Sequence, residues 1–474
     1  MKNIFLFIII ALLSNCSVNP VTGKQDFVMI SENQEIQMGR EYNAQILKQN
    51  PVYQDQELQD YVQSIGESLA IKSHRPNLIY RFTVLDSPDI NAFALPGGYI
   101  YINRGLMSYL STEEELAAVL GHEIGHVTAR HSVRQYSQSQ LMGILSSAVE
   151  INAGRTAGNI ANLASGALLS GYGRDMELEA DDLGAQYIFQ EGYSPQGMFE
   201  VLSVLKDQEI YSKKVAEERG QEPRSYHGVF ASHPSNDLRL QEVLNNVSVS
   251  FKEGKKKEKD NYLNMIEGMV FGDSEKSGIR RGSEFFHGPL NLYMSSPSSW
   301  EIINTPNSLV FSSSSGEAQL QMTLEDLNFK ESPRDYLMRF APNIDEGEKL
   351  NINGLEGYTG KSLRSGRMTR MAVLFKDNQV YQFIGVVKDR NSNFLNFDNE
   401  FLKIINSLRK LKANEKDFSK PLRLTSYRVK KLDTYESLAL KSSIHSNAED
   451  QLRLINGDYP AKPLSAGRII KIVQ

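Results

Sequence analysis

The chain has 474 residues, which at roughly 150 residues per domain points to about three domains. A 40% hydrophobic and 23% charged composition is that of globular protein and too polar for a multi-spanning membrane protein. The 52 Lys and Arg against 57 Asp and Glu leave a formal charge of -5, hence no basic field to coat nucleic acid, and a single cysteine excludes an internal disulfide or a cysteine-pair zinc ribbon.

The first element in chain order is an address. Met1-Lys2-Asn3 precedes an apolar run from Ile4 to Leu13, then Ser14-Asn15-Cys16. A cation followed by about ten apolar residues is laid out as a secretory signal peptide, expected here at residues 1–15. The cysteine directly behind it resembles the bacterial lipoprotein signal. That resemblance implies lipidation of Cys16, which becomes the mature N-terminus. With Ser17 next, it also implies a periplasm-facing protein anchored in the outer membrane. Residues 16–30 then read as a tether.

Ser31 is placed to cap a helix, and helical periodicity follows over Glu32–Leu47 and Leu58–Ala70. Tyr80–Leu85 alternates as a strand, and Phe93–Asn103 reads as a turn and an edge strand, offering Tyr99–Ile102 as a free edge. Ser111 and Thr112 with Glu114 and Glu115 three residues on are capping-box signals for a helix from Glu113 to about Tyr136. Leu141–Gly173 is rich in Gly, Ala, Ser and Asn and reads as a lid or surface helix, since Glu150 and Arg155 argue against a membrane span. Helices are expected again at Asp175–Gln190 and from Pro195 to about Lys206, and Gly254–Asp260 is a solvated charge run. Beyond residue 280 the stretches Ala318–Thr323, Thr369–Phe375 and Val380–Val387 alternate as antiparallel strands, closed by a helix at Asn399–Leu411. The last fifty residues follow a βααβ pattern.

The chemistry lies in Leu120-Gly-His122-Glu123-Ile-Gly-His126, an H-E-x-x-H pattern. On a helix, positions i and i+4 share a face, so both imidazoles can chelate one metal ion. Glu123 between them is placed to take a proton from an attacking water. A catalytic zinc needs a third protein ligand and one open position. His131, five residues past His126, is rotated about 140° around the helix and cannot share the face, so it reads as a packing or supporting residue. The better candidate is Glu177 in Arg174-Asp-Met-Glu177-Leu-Glu179-Ala-Asp181, at the start of a second helix, with Asp181 one turn on. Glu179, about 200° round from Glu177, reads as a solvated or structural carboxylate.

The pair G-H-E-x-x-H and E-x-E-A-D, about fifty residues apart, resembles the HtpX and CAAX-prenyl-endopeptidase family of zinc metallopeptidases. Asn91-Ala-Phe-Ala-Leu-Pro-Gly-Gly98 and Asn19-Pro-Val-Thr-Gly23 resemble its periplasmic BepA/LoiP-like lipoprotein branch. The likeness covers roughly residues 19–245. It implies one Zn2+ per chain held by His122, His126 and Glu177, with Glu123 as the catalytic base and Asp181 as an orienting residue or proton donor. His233 in His233-Pro-Ser-Asn-Asp-Leu-Arg239 also matches a family element. His233 either stabilises the oxyanion with Arg239 or closes the metal site as a fourth ligand. The plainer alternative has His233 capping a helix and Arg239 pairing with a carboxylate.

Further on, Phe285 to Leu411 resembles a PsbP-like α+β sandwich. His287 there reads as a structural residue, and Trp300 and Tyr381 as core. Tyr427–Thr434, Glu436–Ala439, Leu452–Gly457 and Gly467–Ile472 resemble a lysin motif (LysM), a module associated with peptidoglycan, although Leu432 stands where that motif has glycine. The expected architecture is multidomain: a mainly α gluzincin-type peptidase domain with a small edge sheet at 31–272, an α+β domain at 280–412, and a small βααβ module at 424–474. The expected function is zinc-dependent endoproteolysis of misfolded or stalled envelope proteins. The alternative is a chaperone or peptidoglycan-tethered adaptor with a latent metal site. A prenyl-protein endopeptidase is disfavoured because the spanning helices of those enzymes are missing.

Overall fold

The computed structural model describes residues 16–140, 172–218, 239, 261–327, 330–364, 366–388 and 394–474. The signal segment, His233, the charge run 254–260 and residues 141–171 of the expected lid lie outside the described residues. Residues 16–30 are not a simple tether. β1 (Cys16–Val18) and β2 (Gln25–Phe27) form an antiparallel hairpin whose turn is held by the Asn19 side chain. Its oxygen accepts from the Val21 and Thr22 amides, its amide donates to Asp26 at 2.7 Å, and Gly23 takes φ 68°. Asn–Pro initiates a turn and glycine permits the left-handed residue.

Helix α1 (Glu32–Gln49) begins at Ser31 with a reciprocal capping box to Gln34. Helix α2 (Gln56–Ile71) buries Leu58, Val62, Ile65 and Leu69, one apolar face at helical spacing. Three short strands follow: β3 (Arg81–Leu85), β4 (Ala92–Leu95) and β5 (Tyr99–Asn103). Their order is β3-β5-β4, so β5 pairs parallel with β3 and antiparallel with β4. This corrects the expectation of a free edge at Tyr99–Ile102, which is the buried central strand. The 86–91 loop carries the chain past the central position to β4, and the 96–98 turn returns it as β5 between β3 and β4, so β4 is left as an edge.

Helix α3 (Glu113–Thr128) is capped by Thr112, whose hydroxyl accepts from the Glu115 amide, while Glu115 Oε2 accepts from Ser111 N–H at 2.7 Å. It does not continue to Tyr136. The chain turns at Ala129–Arg130, with Arg130 at φ 56°, and helix resumes over 131–140. Helix α4 (Arg174–Glu191) ends on Gly192 in the left-handed conformation, and α5 (Gln196–Glu218) runs well past Lys206. These helices pack α2 and the small sheet around one apolar core.

A seven-stranded antiparallel sheet forms the second body, from β7 (Trp300–Thr305), β8 (Ser308–Ser313), β9 (Ala318–Asp326), β10 (Asp345–Ile352), β11 (Leu355–Arg364), β12 (Arg367–Lys376) and β13 (Gln379–Val387). β6 (Val270–Phe271) precedes it in the chain. The strand order is β7-β8-β9-β13-β12-β11-β10, with α6 (Pro333–Phe340) packed on β11 and β12. The closing helix α7 is Phe394–Asn406, earlier than the expected Asn399–Leu411. Phe394, Phe397 and Phe401 anchor its start on the sheet, and Arg409 has already left the helix to bridge Tyr293. Trp300 and Tyr381 are core, and buried His287 accepts from the Leu290 amide at its own turn.

The last module runs β14 (Leu422–Arg428), α8 (Tyr435–Ala439), α9 (Ala448–Ile455) and β15 (Ile469–Val473), the βααβ pattern expected. It does not hang free. β6 joins its sheet in the order β15-β14-β6, and Leu424, Tyr435, Leu452 and Ile470 share the core of the N-terminal helices. The Lys471 ammonium, fully enclosed, donates to the Leu110 carbonyl just before α3. A cleft of about 800 Å³ lies where the three bodies meet, between Trp300, Arg281, Tyr109 and His445, and includes none of the H-E-x-x-H residues. No helix among the described residues is long and apolar enough to cross a membrane.

Candidate metal centre

Two helices make the site, and small residues let them touch. A Cβ on Gly125 of α3 would stand 2.9 Å from the Ala180 carbonyl oxygen of α4, and one on Gly184 would stand 2.8 Å from the His122 amide nitrogen. Only glycine fits such backbone contact. The approach brings the His122/His126 face against the Glu177/Asp181 face. His122, Glu123, His126, Glu177, Asp181 and Arg239 are all buried, none more than 6% exposed.

His122, His126 and Glu177 present ligand atoms that all lie within 4.8 Å of one another. The two Nε2 atoms are 2.9 Å apart, His122 Nε2 is 3.6 Å from Glu177 Oε2, and His126 Nε2 is 3.5 Å from Glu177 Oε1. Donors about 2.0–2.1 Å from a tetrahedral ion stand roughly 3.3 Å from each other, so this donor set fits a zinc-sized cation. Among the described residues it is the only group of three or more such side chains that could hold one.

Each imidazole is oriented from behind. His122 Nδ1 lies 2.8 Å from Asp181 Oδ1. Arg239 donates from Nε and Nη2 to Asp181 at 2.6 and 2.7 Å, and its Nη1 lies 3.1 Å from Glu177 Oε2. Burial pushes the Asp181 carboxyl up, but Arg239 and the His122 hydrogen bond outweigh it and hold the group well below the usual carboxylate range. Burial likewise opposes the charge on Arg239, yet Asp181 beside it raises its pKa. With its guanidinium engaged by two carboxylates, Arg239 favours the carboxylate-pairing alternative over oxyanion binding.

A depressed carboxyl contributes stability that is present above its unfolded pKa, about 3.9 for Asp, and is lost as pH falls through the lowered folded value. Thermal midpoints of metal-free protein from pH 7 to pH 2 should therefore converge for wild type and Asp181→Asn as acid is added. A gap that stays constant over that range would remove Asp181 from the acid response.

His131 is closer to the site than a continuous helix allows. Arg130 in the left-handed region ends α3 and swings His131 back, so that its Nδ1 lies 2.7 Å from His126 Nδ1. A non-glycine residue there costs roughly 1–2 kcal/mol. Buried Glu35 offsets this: it accepts from Arg130 at 2.8 Å and from Arg75 at 2.6 Å, and Arg75 also holds the Val127 carbonyl. On its far side His131 Nε2 meets Glu179 Oε2 at 3.0 Å, which also receives Arg134 at 3.0 Å. Glu179 is thus structural: the hydrogen bond from His131 leads the causes that lower its pKa. Tyr172, at the end of the Gly/Ala-rich stretch, stacks on His126 with centroids 3.9 Å apart and planes 17° from parallel. Neither Tyr172 nor Glu35 carries a local signal in the sequence. An apolar cavity of about 30 Å³, lined by Ala92 of β4 and by Val119, Met198, Val201 and Leu202, borders His122 and Glu123.

Residues 56–247 match the model of Peptidase family M48. The chain is 30% identical over 236 residues to the beta-barrel assembly-enhancing protease of Yersinia pestis, covering 48% of this chain and 46% of that protein. It is 31% identical over 228 residues to the protein of the same name from Escherichia coli strain K12, covering 46% and 44%. The chain therefore spans less than half the length of these relatives. A solution structure of cyanobacterial PsbP from Synechocystis aligns with 28% of this chain and 94% of its own at 10% identity and a TM-score of 0.23, a likeness too low to assign a fold.

Proposed function

We propose that this chain, which carries a peptidase M48 domain in residues 56–247, is a zinc-dependent metalloendopeptidase of the bacterial cell envelope acting on misfolded or stalled outer-membrane and periplasmic proteins. The observation that carries the reading is the convergence of His122, His126 and Glu177 on one point, with Glu123 on the intervening turn of the same helix. An ion held there would polarise the scissile carbonyl and lower the pKa of a water molecule. Glu123 accepts the proton of the attacking water and later delivers it to the leaving amine. Asp181 holds His122, and Arg239 is the positioning residue that pairs with Asp181 and lies beside Glu177. His233 acts on the same site, either as oxyanion donor or as a fourth ligand.

Edge strand β4 lies against α3 and borders the cavity beside Glu123, which supports β-addition of an extended substrate through backbone hydrogen bonds. Such binding selects unfolded segments over packed ones. Similarity to the beta-barrel assembly-enhancing proteases supports β-barrel proteins as substrates. Lipidation of Cys16 would hold the enzyme at the outer membrane, and the lysin-motif resemblance supports peptidoglycan as a neighbour.

Incubating purified protein with a β-barrel protein, urea-unfolded and folded, tests the reading. Cleavage of the unfolded form alone, abolished by a chelator and restored by Zn2+, is expected. Chelator-insensitive or absent cleavage would overturn it in favour of a chaperone or adaptor.

A further inference from the structure

The two histidines facing the ion site are supported differently. His122 leans directly on a carboxylate, Asp181, whereas His126 leans on a second histidine. An imidazole that offers Nε2 to a cation carries its proton on Nδ1 and must donate it. His126 Nδ1–H therefore donates to His131 Nδ1, which fixes His131 as the Nε2–H tautomer, and that hydrogen points at Glu179 Oε2, 3.0 Å away. Both rings are buried, so the alternative tautomers would leave a hydrogen bond unmade without water to replace it.

The row of contacts continues outward. Arg134 joins Glu179 at 3.0 Å to Asp26 at 3.5 Å, and Asp26 is the residue gripped by Asn19 in the N-terminal hairpin. Ser137 on the same resumed helix also accepts from the Met29 amide at 2.9 Å. The hairpin behind Cys16 is thus packed against the helix that carries His131 and Arg134.

We propose that His131 and Glu179 are positioning residues that set the tautomer and orientation of His126, and that the hairpin's Asp26, through Arg134, holds Glu179 in place. The inference rests on the metal-site reading above, but it concerns affinity for the ion and is read without substrate. The N-terminal hairpin then belongs to the metal centre, and a pull on that segment loosens His126.

The test measures Zn2+ affinity of the full chain by competition with a chelating dye, with cleavage assayed separately. Glu179→Ala, at a partly exposed position, should weaken zinc binding roughly 10–100-fold. His131→Gln, which can still accept from His126 and donate to Glu179, should stay within about 3-fold of wild type, whereas His131→Leu should match Glu179→Ala. Asp26→Ala should fall between, at about 3–10-fold. In metal-free protein, nitrogen chemical shifts should report Nδ1–H for His126 and Nε2–H for His131 in wild type, with the preference lost in Glu179→Ala. Wild-type zinc affinity in Glu179→Ala, or the opposite tautomers, would overturn the relay, and an unchanged Asp26→Ala would cut the hairpin from it. The expected affinities without any cleavage would overturn the peptidase reading alone.

Discussion

Glu123→Gln is expected to lower the rate of casein cleavage by roughly two to four orders of magnitude while leaving zinc content unchanged. The side chain is buried on α3, one position after one histidine and three before the other. Glutamine keeps its size and shape, so the packing of α3 on α4 and the three ligand atoms should persist. What is lost is the ability to take a proton from water, and nothing else in the proposed ligand set can replace it, because His122, His126 and Glu177 converge on one another. A loss of zinc together with activity would show that Glu123 acts on the fold. Equal activity in the two proteins would remove general-base catalysis by Glu123.

Arg239→Met should have the largest effect on stability. Two buried carboxylates, Asp181 and Glu177, share this one guanidinium, at 2.6 and 3.1 Å. Removing one partner of a buried pair leaves uncompensated charge, which costs about 3–5 kcal/mol, more than most single substitutions. Urea unfolding of the metal-free protein measures it. Arg239→Met combined with Asp181→Asn should recover part of the loss, because the orphaned charge is gone, and the interaction energy of the pair follows from the cycle. A loss below about 1 kcal/mol for Arg239→Met would mean that the pair is solvated and does not hold α4 in place.

Much of this centre was legible because it is written in helical period. His122 and His126, and Glu177 and Asp181, are each one turn apart, and the capping signals before α3 located its start. Gly121, Gly125 and Gly184 were equally visible in the sequence, but their meaning as the helix–helix contact needed the second helix to be in place. The approach of His131 to His126 was not legible for a backbone reason: Thr-Ala-Arg-His carries no glycine or proline, and the left-handed turn at Arg130 is held by Glu35, ninety-five residues away. The strand order of the small sheet was hidden for a similar reason. Tyr99–Asn103 alternates no differently as an edge or a centre, and only pairing with β3 decides it.

The docking of the last module had one overlooked sign. Lys471 lies between Ile470 and Ile472 on a short strand of an otherwise apolar stretch. An inward lysine there needs an acceptor, and the Leu110 carbonyl supplies it. The βααβ pattern itself was readable from its turns. Its burial against the peptidase helices was not, because the contacts bridge more than three hundred residues of chain.

The proposed function depends on two imidazoles from one helix and a carboxylate from another being able to grip the same ion. Metal analysis of purified wild-type and Glu177→Ala protein, both dialysed against a weak chelator, tests this directly. About one zinc per chain in wild type and a small fraction of that in Glu177→Ala is the expected result. Equal zinc in both proteins would place the ion elsewhere and contradict the account.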